Sequence, residues 1–118
     1  MSLFGHWQAI RAELSGETAP PEALVSLELE LTATHYTVRY GNQISDTGRA
    51  EQKSEGEPAR LELRGTAGPN AGRTIACIYQ LKGDRLRICY GLDGRYPSEF
   101  ATTARDSRYL VTYRRKAS

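Results

Sequence analysis

The sequence predicts an all-β protein: an eight-stranded antiparallel up-and-down barrel, with a two-sheet β-sandwich as the alternative. Three observations lead there. From residue 26 onward, apolar and polar residues alternate with a period of two, which marks half-buried strands. The pair Gly83-Asp84 separates two apolar runs, as in a tight hairpin whose turn needs glycine's positive φ. No stretch of helical spacing is long enough to cover a sheet. Eight short strands joined by tight loops suit a barrel, which leaves no free edge.

In chain order, Trp7 to Leu14 is the first strand. Trp7 and the set Ile10, Ala12 and Leu14 fall on opposite parities, which predicts a bulge. Pro20 to Leu24 is one helical turn started by proline. Ser26 to Thr32 alternates throughout, with Leu27, Leu29 and Leu31 on one face, and Tyr36 to Tyr40 repeats the pattern. A two-residue turn at Thr34-His35 sets Leu31 opposite Val38, Leu29 opposite Tyr40, and Glu30 opposite Arg39. Asp46 to Ser54 is a polar, weakly patterned strand, closed by a loop at Glu55-Gly56-Glu57-Pro58. Arg60 to Arg64 alternates again and leads into the loop Gly68-Pro69-Asn70-Ala71-Gly72.

The hairpin Thr74–Lys82, Gly83-Asp84, Arg85–Tyr90 has the best-determined register. Pairing Lys82 with Arg85 puts Leu81 opposite Leu86, Tyr79 opposite Ile88 and Cys77 opposite Tyr90, all on one face. A slip of one residue would turn that whole set to solvent. Cys77 then faces inward and Cys89 outward, so the two cysteines are expected to be reduced. Ile78 faces outward with Cys89. Tyr109 to Arg114 is the last strand, and Phe100 is expected to tuck into the core.

Composition removes several function classes. The chain of 118 residues is one domain's worth, residues 1–118, with two cysteines and a net charge of +2. Its longest apolar run, Ile75 to Tyr79, is far short of the ~20 residues of a membrane helix. Thirteen of the 16 basic residues are arginine, a pattern that fits phosphate recognition or a GC-rich genome equally well. The arginines are interleaved with acids, and the pI of about 8.6 is below that of most nucleic-acid binders, so no nucleic-acid partner is expected. Leu3-Phe4 is followed at once by Gly5-His6, with no charged leader and no long apolar core, so the expected location is cytoplasmic.

The loop at 68–72, the segments Ile78–Leu86 and Cys89-Tyr90, Pro97-Ser98-Glu99-Phe100 and the opening Gly5-His6-Trp7 resemble a small bacterial lipocalin-like domain family abundant in planctomycetes. The resemblance runs from about Leu3 to Arg115, and its most specific part is residues 68–90. One departure is visible: Tyr96 separates Arg95 from Pro97, where the family joins Arg to Pro. That family has no established activity, so the resemblance implies a fold and leaves function open. It also implies that Trp7 plugs the closed end of the barrel, capped by an arginine of the last strand, Arg114 or Arg115.

Catalytic and metal-binding chemistry is thinly represented. His6 and His35 have no ligand partners at metal spacing, and no P-loop or Gly-x-Ser-x-Gly is present. Glu28 and Glu30 share a face opposite the leucines and read as a solvated, salt-bridged surface. No cofactor, metal or enzymatic activity is therefore expected. The inward aromatics Tyr36, Tyr40, Tyr79 and Tyr90, with Cys77, are the candidate ligand-binding set, because a buried tyrosine brings an apolar wall and a polar handle together. Arg95, Tyr96 and Glu99 are the candidate mouth loop. The expected function is noncatalytic binding of a small apolar or amphipathic ligand in a cavity of at least a few hundred cubic ångströms. The alternative is a protein-interaction or structural module with a filled core and an exposed apolar patch that includes Ile78.

Overall fold

A computed structural model describes residues 3–54 and 58–116; the loop expected at Glu55-Gly56-Glu57 lies outside the described residues. The strands are β1 (Gly5–Leu14), β2 (Glu17–Thr18), β3 (Leu27–Leu31), β4 (His35–Tyr40), β5 (Gln43–Ser54), β6 (Ala59–Ala67), β7 (Thr74–Lys82), β8 (Arg85–Gly91) and β9 (Arg108–Arg115), with one helical turn, α1 (Pro21–Leu24). Every neighbouring pair from β3 to β9 is antiparallel, and β1 pairs with both β3 and β9. The sheet therefore closes into an eight-stranded up-and-down barrel, and the sandwich alternative is excluded.

Closure depends on the bulge in β1, which falls at Ile10, between Ala9 and Arg11. Before it, Trp7 and Ala9 point inward; after it, Ala12 does. The extra residue lets β1 bend, so that Gly5 to Gln8 pair with β3 while Trp7 to Leu14 pair with β9. Of the parity set Ile10, Ala12 and Leu14, only Ala12 is buried. Beyond Gln8 the strands β1 and β3 separate, and α1 lies beside them with Leu24 buried. The Gln8 side-chain amide donates to the carbonyls of Leu24 and Leu27, at 2.8 and 3.1 Å, and ties α1 down.

The β7–β8 register is as the sequence predicts, from Lys82 opposite Arg85 to Cys77 opposite Tyr90. The β3–β4 hairpin differs. Leu31 pairs with Tyr36, Leu29 with Val38 and Glu28 with Arg39, a slip of two residues. The Thr32 hydroxyl is the reason: it accepts from the backbone N–H groups of Thr34 and His35 and moves the turn back to Ala33-Thr34. A two-residue slip keeps every side chain on its face, so the leucines stay inside. Arg39 still reaches Glu30, now diagonally, at 3.0 Å. Glu28 pairs with Lys116 at 2.9 Å, which completes the charged outer face.

One end of the barrel is packed solid. Trp7 is fully buried there, and its indole N–H donates to the Leu3 carbonyl at 3.0 Å. The guanidinium that covers it is that of Arg115, 4.2 Å from the ring centre, and not that of Arg114. The ladder explains the choice: Arg115 stands directly opposite Trp7 and shares its face, while Arg114 stands opposite Gln8 and points outward. Gly5 makes the approach possible, since a Cβ there would lie 2.8 Å from Arg115 Nη1. Arg115→Met is expected to cost about 0.5–2 kcal/mol in a denaturant melt, and Arg114→Met under about 0.5. Equal losses would contradict the assignment.

The outer face of β7 and β8 is also buried, which the alternation does not predict. Ala76, Ile78 and Cys89 point away from the interior yet are 3%, 1% and 0% exposed. The segment 92–107 lies over them. Tyr96 stacks under Arg60 at 4.5 Å, Phe100 under Arg87 at 4.3 Å, and Gly91 lets the Arg95 carbonyl approach to where a Cβ would be 1.8 Å away. Phe100 therefore packs on the outside, not in the core, and Ile78 contributes to no exposed patch. Both cysteines are buried and free, on opposite faces of the hairpin.

Candidate functional site

The end of the barrel opposite Trp7 contains a cavity of about 180 Å³. Its walls are Leu27 and Leu29 from β3, Val38 from β4, Leu63 from β6, Ile75 from β7 and the rings of Tyr36, Tyr40, Tyr90, Tyr109 and Tyr113. Ser45, Asp46, the loop residues Pro69 and Asn70, and Leu92 complete it. The volume is smaller than the few hundred cubic ångströms expected, because the half nearer Trp7 is filled by Leu61, Leu86, Ile88 and Val111, each 1% exposed or less.

The predicted ligand set divides along the barrel axis. Tyr36, Tyr40 and Tyr90 line the cavity. Cys77 and Tyr79 face inward as predicted but lie outside the lining. Tyr79 is three residues from the β7–β8 turn, near the Trp7 end, and its hydroxyl accepts from the Gln52 side chain. Cys77 is fully buried between its cross-strand neighbours Leu61 and Tyr90, and burial pushes its thiol well above the usual range. Tyr40 stands at the rim, 49% exposed.

The loop residues Arg95, Tyr96 and Glu99 do not line this cavity; of that segment only Leu92 reaches it. Arg95 and Tyr96 border a separate polar hollow with Asp93 and Arg108 on the barrel's exterior. Glu99 is exposed, 4.0 Å from Arg108. The strap across β7–β8 takes these residues to the outer wall, away from the mouth.

Two polar clusters face the cavity. The Tyr90 and Tyr113 hydroxyls hydrogen-bond each other at 2.6 Å, and Tyr109 stacks on Tyr90 with ring centres 5.7 Å apart. On the other side Asp46, 8% exposed, accepts at Oδ2 from the Tyr36 hydroxyl at 3.2 Å and from Asn70 Nδ2 at 2.8 Å. Its Oδ1 is buried without a partner among the described residues. Burial raises the Tyr90 and Tyr113 hydroxyls far above the ordinary phenol range. Tyr36 is raised likewise, first by burial and then by the charge of Asp46. All three are neutral hydrogen-bonding groups at physiological pH.

Asp46, Asn70, Tyr109 and Tyr113 were not in the sequence-derived set. Asp46 lies in the strand with the weakest alternation, and its inward turn follows the irregular pairing after Val38. Tyr109 and Tyr113 share the parity of Val111 in the last strand, a signal the sequence carries. Asn70 belongs to the Gly-Pro-Asn-Ala-Gly loop, which folds back so that Gly72 N–H donates to the Gly65 carbonyl at 2.9 Å. Among the described residues no group of three or more His, Cys, Asp or Glu stands together as a metal site, and no helix is long and apolar enough to cross a membrane. No protein-family model matches the chain, and neither a curated protein nor a solved structure is detectably similar to it.

Proposed function

We propose that this barrel is a noncatalytic binder of a small apolar or amphipathic molecule, taken into the cavity between Tyr36, Tyr40, Tyr90, Tyr109 and Tyr113. The observation that carries the reading is the asymmetry of the interior: one half is packed solid, and the other keeps about 180 Å³ open behind an apolar and aromatic wall. Small-molecule sites are built in this way, with a few polar groups fixing orientation. The volume sets the scale of the ligand. An apolar cavity of about 150 Å³ accommodates benzene, so a single ring with a short substituent is the upper size. The lining offers no histidine, lysine, arginine or cysteine to act with Asp46, which favours binding over catalysis.

Titration with toluene, followed by amide chemical shifts, tests the proposal. Saturable shifts are expected at Val38, Leu63, Ile75 and Tyr90, with a Kd of roughly micromolar to millimolar for seven heavy atoms. Ile75→Phe fills the space and is expected to abolish those shifts while the fold persists. Absence of any saturable shift in the wild type refutes the reading.

A further inference from the structure

We propose that the ligand of this cavity is a small organic cation, a primary ammonium carried on one ring or a short apolar chain, with Asp46 as its counter-charge. The inference rests on the cavity being a binding site and names the class of molecule that fits it. Asp46 is the only charged side chain in the lining, and no basic residue there neutralises it. Its two oxygens are treated differently. Oδ2 accepts from the Tyr36 hydroxyl and the Asn70 amide, while the buried Oδ1 has no partner among the described residues. A buried carboxylate oxygen without a donor is unfavourable, and a ligand that brings a donor relieves it.

Anchoring the 68–72 loop explains Oδ2 through Asn70 but leaves Oδ1 unexplained. Gly68 packs closely against Ser45 and Asp46. A Cβ at that position would lie 3.0 Å from Oδ1 and 2.6 Å from the Ser45 carbonyl. The remaining wall suits a cation as well. Five tyrosine rings line the site, and the face of an aromatic ring attracts positive charge, most strongly where water is excluded. An anion of the same shape would meet the Asp46 carboxylate with no basic side chain in the lining to offset it.

The test uses three probes of one shape on the intact protein at neutral pH and low salt: benzylammonium, benzyl alcohol and benzoate, each titrated by calorimetry and chemical-shift mapping. Benzylammonium is expected to bind about tenfold or more tightly than benzyl alcohol, with benzoate weakest. Asp46→Asn keeps the shape and an acceptor for Asn70. It is expected to abolish the preference, bringing benzylammonium and benzyl alcohol to similar affinity. If benzyl alcohol binds as tightly as benzylammonium, or benzoate binds most tightly, the cation assignment falls and the cavity remains a site. If none of the three binds, both readings fall. Should Asp46→Asn fail to fold, the charge series on the wild type decides alone.

Discussion

Replacing Trp7 with alanine is expected to lower the melting temperature by roughly 10–20 °C, a loss of about 3–5 kcal/mol. Three contributions act together. The indole fills the closed end with no exposed surface, so its removal leaves a void that the surrounding strands cannot collapse into. Its N–H bond to the Leu3 carbonyl disappears, which leaves a buried acceptor unpaired. The Arg115 guanidinium, packed 4.2 Å from the ring, is left over an empty space. Trp7→Phe retains most of the volume and the ring under Arg115 but no N–H, and is expected to lose about half as much. Thermal melts of the two variants check the ranking; an unchanged midpoint for Trp7→Ala refutes the plug.

Alkaline pH is expected to unfold the barrel well before it affects the backbone chemically. Tyr36, Tyr90 and Tyr113 are each 7% exposed or less, and burial raises all three above the unfolded value of about 10. Above pH ~10 the unfolded chain has released these protons and the folded chain still holds them. Stability is therefore complete below pH ~10 and falls as the pH rises toward the folded values, by up to about 1.4 kcal/mol per pH unit for each tyrosine. Cys77 and Cys89, raised by the same burial, add a loss of the same sign that begins about one unit lower. Urea midpoints measured between about pH 8 and 12 should be flat at first and then drop steeply. A flat profile throughout would mean that these hydroxyls are accessible to water.

Much of this structure was legible because a barrel strand has only two faces. Alternation placed Leu27, Leu29 and Leu31, and the inward residues of β7 and β8, on the correct side, and even the slipped β3–β4 turn left those faces intact. Depth was not legible. Parity distinguishes inside from outside, but Tyr79 and Tyr90 share the inward face and stand in different halves of the barrel. Dividing the candidate site required a measure of distance from each turn, which the sequence also contains. The two-residue strand β2 is announced by Ser15-Gly16, both with positive φ, but is too short to carry a period. The burial of Ile78 on the outer face and the external position of Phe100 share one reason. Periodicity within a strand cannot show that a distant, irregular segment returns to cover its outer face.

That covering strap has a kinetic consequence. Most of the barrel is wet on its outside, so a local excursion exposes its hydrogen bonds at modest cost. The β7–β8 hairpin is dry on both sides around Ala76, Ile78 and Cys89, between the core and the segment 92–107, and opening it there requires both layers to move. Its amides should be the last in the molecule to exchange with solvent, at the rate set by global unfolding. The rim, formed by the β4–β5 turn and the 68–72 loop, has no such second layer, and its amides should exchange sooner. The same chain thus combines a doubly covered spine with a rim that has a single layer.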